Sequence, residues 1–156
     1  MEKSAHTLPT KPSALIRVAL EDVKKILRSR TYTLNMGVWH QPVFDPDDTH
    51  KVVGCNVCLA GAVMVGHLGV KKNESCEPYE IATNGDYNAL EALDLIRCGC
   101  VRDFFAQLDR DTLGTAELIE RFEEKWNYSD ELNEIQIVSM LAVLDHFARE
   151  CEKKRL

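Results

Sequence analysis

The chain has 156 residues, 45% of them hydrophobic and 28% charged, enough for one domain whose single core buries about 70% of the unfolded surface. Eleven aromatic residues in a composition of this kind exclude a mostly disordered chain. A formal charge of -6 with a pI near 5.4 disfavours a broad polyanion-binding surface, so no direct nucleic-acid binding is expected.

The charge is uneven. Residues 1–78 hold 10 Lys+Arg against 8 Asp+Glu, or +2, and residues 79–156 hold 9 against 17, or -8, so the acidic character belongs to the C-terminal half. Six cysteines would make three bridges in a secreted protein. No charged stretch followed by an apolar run and a small-residue cleavage site opens the chain, and reduced thiols in a cytoplasm are the expectation.

In chain order, residues 1–12 are polar and punctuated by Pro9 and Pro12, which predicts a flexible arm. Residues 13–152 are expected to form a single helical domain, with 153–156 as a basic tail. Ser13 is a suitable N-cap for an amphipathic helix running to about Ser29, with Ile16, Ala19, Leu20, Val23, Ile26 and Leu27 on one side and Arg17, Glu21, Lys24, Lys25 and Arg28 on the other. The basic side could meet an acidic partner or simply face solvent. Residues 40–54 show neither helical nor strand period and read as a long connection. A second such stretch, 71–85, allows at most a short strand near Tyr79.

Between them, Val52 to Val70 is a run of 19 residues without Asp, Glu, Lys or Arg. Its length meets the membrane-span threshold, but Asn56, His67 and four glycines argue instead for a buried central helix over Val57 to Leu68, close-packed through Ala60, Gly61, Ala62 and Gly66, and no membrane span is expected. Further helices are predicted from Asn88, whose capping box uses Glu91, from Thr115, and from Ser129. With no convincing period-2 run, the expected class is all-α, a compact helical bundle with Leu59, Val63, Leu93, Ile96, Leu118, Ile135, Leu141 and Leu144 buried.

The thiols invite chemistry. Cys55-Asn56-Val57-Cys58 has C-x-x-C spacing and Cys98-Gly99-Cys100 adds two sulfurs, but a one-residue gap is wrong for a structural zinc site, so no metal and no cofactor is expected. A thioredoxin-like role would need a strand-to-helix junction within a βαβ unit, which the pattern does not display. Cys58 near a helix N-terminus, with His40 or His50 as base, is the tenable catalytic pair if the protein is an enzyme; a packed thiol fits the Leu-Ala-Gly-Ala context equally well. His67 reads as a core or helix-capping histidine. Trp39 beside His40 suits either a staple into the central helix or a recognition anchor.

Gly37-Val38-Trp39-His40, a variable loop, Cys55-x-x-Cys58-Leu59-Ala60-Gly61-Ala62, then Asn84-Gly85-Asp86 and a helix of Ala89-Leu90 type give the chain a resemblance. Over residues 15–100 it resembles a group of small uncharacterised helical proteins of bacteriophages and some bacteria. The resemblance implies a phage-like setting, in the host cytoplasm, and carries over no site residue.

Two functions follow. In the first, the protein binds and modulates a host macromolecule, with Trp39, His40 and the acidic set Glu117, Glu120, Glu123 and Glu124 offered to a basic or nucleic-acid-binding host protein, self-association being allowed. In the second, the loops flanking the Cys58 helix form a pocket for a small molecule or nucleotide signal, or a cysteine-dependent active site. Turnover is the less expected of the two.

Overall fold

A computed structural model describes residues 8–74, Ala92, Leu93, Ile96 and residues 131–156. The helices expected from Asn88 and Thr115, the strand near Tyr79, Ser129, Leu118 and the glutamates at 117, 120, 123 and 124 lie outside the described residues, as do Cys76, Cys98 and Cys100.

The expected all-α bundle is corrected by a three-stranded mixed sheet. Helix α1 spans Pro12–Arg28, β1 Tyr32–Leu34, β2 His40–Asp45, β3 Asp48–Val57, α2 Leu59–Gly66 and α3 Glu134–Lys153. The strand order is β1-β3-β2, with β1 parallel and β2 antiparallel to the central β3. This is an α/β structure, with α1 packed against both α2 and α3.

The supposed connection 40–54 is the β2–β3 hairpin, and its pairing explains why no period was visible. Tyr32, Leu34, His40, Pro42, Cys55 and Val57 share one face through their register, and that face is buried or half-buried. Beyond it the ribbon leaves the core: residues 46–51 are all exposed, and the register shifts at Val43/Phe44 and again at Phe44/Asp45, so alternation is erased where it would have been read. Pro42 sits on the edge strand, where a missing N–H is tolerated.

The central helix is shorter than expected, because the first part of the uncharged run is strand. Val52 to Val57 completes β3, Cys58 is the N-cap, and α2 ends at Gly66 with His67 as C-cap. Leu59 to Met64 are all buried, so the apolar run serves two elements in succession. Ser13 does not cap α1; Lys11 holds that position, Pro12 supplies the preset φ of the first turn, and the buried Ser13 hydroxyl donates to the Leu156 main-chain oxygen at 2.5 Å.

α3 begins later than Ser129. Asn133 caps it with a reciprocal box in which Asn133 Oδ1 accepts from the Gln136 N–H at 2.9 Å and Gln136 Oε1 from the Asn133 N–H at 3.0 Å. Just before it the Leu132 N–H donates to the Leu34 carbonyl at 3.3 Å, with Asn35 and Glu131 bridging alongside β1. The helix turns Met140, Leu144, Phe147, Ala148 and Cys151 inward, leaving Ile135 79% and Val138 68% exposed and Leu141 half-buried. Two adjacent apolar stripes run along this helix, and contact with α1 selects one. Leu59, Val63, Leu93, Ile96 and Leu144 are in the core as expected.

Gly61 fixes how the hairpin meets α2. A Cβ at this position would collide with the Trp39 carbonyl oxygen and crowd the Val57 Cβ, both held by backbone. Gly61→Ala is therefore expected to cost on the order of 2 kcal/mol or more, read as a lowered urea midpoint, because the clash is with main chain that cannot move aside. An unchanged midpoint would contradict the packing described.

Candidate functional site

The strand-to-helix junction at Val57–Leu59 gathers the residues that the sequence marked for chemistry. Trp39 and His40 enter from the start of β2, Cys55 from the end of β3, and Cys58 from the cap of α2. The Cys58 N–H donates to the Trp39 carbonyl at 3.4 Å, and Cys58 Sγ accepts the Gly61 N–H at 3.4 Å. The thiol thus takes the role usually played by a serine or aspartate oxygen at a helix N-cap. The C-x-x-C pair does lie on a strand-to-helix junction, but Cys55 and Cys58 are both buried, and α2 opens with Leu59, Ala60 and Gly61 buried. At this helix N-terminus the Gly61 N–H is taken up by the protein's own sulfur.

His40 meets Cys55 rather than Cys58. Cys55 Sγ is 3.4 Å from His40 Nε2, with both side chains buried. Burial pushes the Cys55 thiol up to about 11, against a smaller opposing influence of the Gln41 main chain and Lys72. Burial also pushes the His40 imidazole below its ordinary value, only partly offset by the main chain and charge of Glu74. With a protonated thiol beside a neutral ring, the tautomer sets the direction of this contact, and the Cys55 S–H also has the Asn56 carbonyl as an acceptor at 3.8 Å. Nδ1 is buried without a hydrogen-bonding partner among the described residues. A reactive cysteine needs the opposite charge states, thiolate beside imidazolium, in a polar and reachable setting.

Trp39 is half-buried and packs on the core, and His40 is buried. His50 stands exposed on β3 near the hairpin turn. Among the described residues no group of three or more His, Cys, Asp or Glu could hold a metal ion, and no helix is long and apolar enough to cross a membrane.

A second polar pair was missed from the sequence. Asp22 of α1 is fully buried; its Oδ2 accepts from His67 Nδ1 at 2.5 Å, and Lys25 Nζ stands 3.9 Å from Oδ1. Burial raises the Asp22 carboxyl above the usual range, opposed by His67 and Lys25. Gly66 allows this approach, since a Cβ there would strike the carboxylate. His67 is 29% exposed and terminates α2, where the helix dipole favours a cation. The pair ties α1 to the end of α2. The signal was present: Asp22 falls between Ala19 and Val23 on the apolar stripe of α1, where a carboxylate has to be paired. The basic side of α1 is also partly accounted for within the chain, because Arg17 bonds Asp145 at 2.5 Å and Glu152 at 2.9 Å on α3.

No protein-family model, curated protein or solved structure matches this chain, and its chemistry is read from its own residues.

Two pH dependences follow. The Cys55 thiol titrates higher folded than unfolded, so its contribution to stability is complete below the unfolded value and is lost as pH rises from 9.0 to about 11. Denaturation midpoints followed across that interval should fall more steeply in the wild type than in Cys55→Ala; parallel curves would show an accessible thiol. In His67→Ala, Asp22 loses its main counter-charge while remaining buried. A carboxyl raised on folding favours the folded state at acid pH, so this variant should lose stability, relative to wild type, as pH climbs through and above the ordinary carboxylate range. A pH-independent difference between the two would mean that Asp22 is not desolvated.

Proposed function

We propose that the protein acts by binding a macromolecular partner and not by turnover, in the phage-like setting of a host cell, where it binds and modulates a host protein of basic character. The observation that carries this reading is the state of the thiol site. The thiol that faces the histidine is buried and held protonated, and the other is engaged as the cap of α2. Chemistry at the junction would require taking the core apart, whereas the same bonds make good structural sense.

The acidic character of the chain supports the choice of partner. Residues 79–156 carry -8, and a field of that sign favours encounter with basic surfaces and repels polyanions. The glutamates at 117, 120, 123 and 124 are the proposed contribution of this half.

The test compares two variants in affinity capture from a bacterial lysate with elution by salt. Reversing Glu120, Glu123 and Glu124 to Lys should weaken retention of a specific partner and flatten its salt dependence. Cys58→Ser should retain it fully, since serine is itself a strong N-cap and preserves α2. A folded Cys58→Ser variant that has lost activity, beside a charge-reversed variant that retains it, would refute the binding reading in favour of thiol chemistry.

A further inference from the structure

The outer half of the β2–β3 hairpin contributes no residue to the core among the described residues, yet it carries exposed apolar side chains. Val43 is 40%, Phe44 46% and Val53 48% exposed, all within the stretch where the register of the two strands shifts, with the consecutive Val43 and Phe44 on opposite faces of the ribbon. Phe44 pairs with Val52 across the strands, and Val43 with Gly54. A two-stranded ribbon is marginal by itself, and solvent-facing Phe and Val at its bulge add no burial that would hold it. An exposed aromatic with exposed valines beside it on a ribbon outside the core is the composition of a contact surface.

The charge around them selects what would lie there. From Val43 to Val53 the ribbon has the carboxylates of Asp45, Asp47 and Asp48 against the single ammonium of Lys51. Asp45 Oδ1 accepts from the Asp47 N–H at 2.9 Å and Asp48 Oδ1 from the His50 N–H at 3.0 Å, so two of the carboxylates are held in place by the turn that follows each of them. A second copy would bring its own acidic turn and a net charge of -6 to the same surface, and a polyanion would be repelled. Pairing of a new strand along the edge is also blunted, because Pro42 in the middle of β2 offers no N–H. What remains complementary is a positively charged polypeptide that brings apolar side chains of its own.

We infer that the outer hairpin, Val43 to Val53, is a docking arm for a basic segment of a partner protein, with Phe44, Val43 and Val53 as the apolar contact and Asp45, Asp47 and Asp48 as the complementary charges. This rests on the reading of the protein as a binding protein and gives that reading a surface apart from the acidic glutamates. Contact is made through side chains and not by strand addition, so it combines salt sensitivity from the carboxylates with a dependence on Phe44 that salt does not mimic.

The probe is a short synthetic peptide alternating Arg with Leu and Trp, titrated into the isotope-labelled full chain, with a control in which Glu replaces every Arg. The amide shifts caused by the Arg peptide should concentrate in residues 43–53, and Phe44→Ser should weaken its affinity by about tenfold or more. Because Phe44 lies outside the core, Phe44→Ser should melt as the wild type does; Asp45→Lys with Asp48→Lys is the second variant and should weaken binding mainly at low salt. Shifts elsewhere, equal binding of the Glu peptide, or unchanged affinity in both variants would overturn the docking arm. So would sedimentation showing a dimer of the protein alone that Phe44→Ser disperses, since the occupant would then be a second copy. A lysate partner retained equally by wild type and Phe44→Ser would remove the arm while leaving the binding function in place. Peptide binding at the hairpin without any salt-sensitive partner from the lysate would instead count against the parent reading.

Discussion

The Trp39 carbonyl is the point on which the hairpin, the junction and the central helix all depend. It accepts the Cys58 N–H and lies against the bare Cα of Gly61, so the entry to β2 and the first turn of α2 are fixed to one another by main chain. Main-chain contacts of this kind cannot relax by a rotamer change, which makes the position of Gly61 a hard constraint. Once it is met, Cys58 falls at the cap, Cys55 turns toward the core and His40 is carried in behind it.

The polar side chains that this packing buries tie elements together, while Asp22 Oδ1 and His40 Nδ1 have no hydrogen-bonding partner among the described residues. His40 and Cys55 link the two strands of the hairpin on their inner face. Asp22 and His67 do the same for α1 and the end of α2, with Gly66 leaving room for the carboxylate. A buried pair contributes more to specifying one arrangement than to net stability, because desolvation cancels much of the attraction. The exposed ion pairs of Arg17 with Asp145 and Glu152, half open to water, add orientation between α1 and α3 and little energy.

What could be read from the sequence follows from where burial is one-sided. α1 has a single wide apolar stripe and was legible to within a residue or two, and five of the eight named core residues are buried. The sheet was not legible, because β2 and β3 are in the core only at their inner ends and shift register between Val43 and Asp45. Within the run from Val52 to Val70 a helix was expected over Val57 to Leu68 and no strand before it, since a buried strand and a buried helix are both uniformly apolar and periodicity cannot divide them. The Asn133–Gln136 box was available and would have placed the start of α3, but Ser129 was the more familiar signal. At the site, the sequence paired Cys58 with His40 or His50, whereas His40 lies against Cys55; which thiol the ring reaches follows from strand register, and the protonation states from burial, neither of which spacing encodes.

The central claim is that the thiol–imidazole pair is neutral and structural. The ring nitrogen shifts of His40 in the native protein, from selectively labelled histidine, test it most directly. The account predicts a neutral ring at pH values where an exposed histidine is already half protonated, in contact with a protonated Cys55 thiol. An imidazolium signal for His40 at neutral pH, with Cys55 as thiolate, would contradict the account and return the junction to the class of reactive cysteine sites.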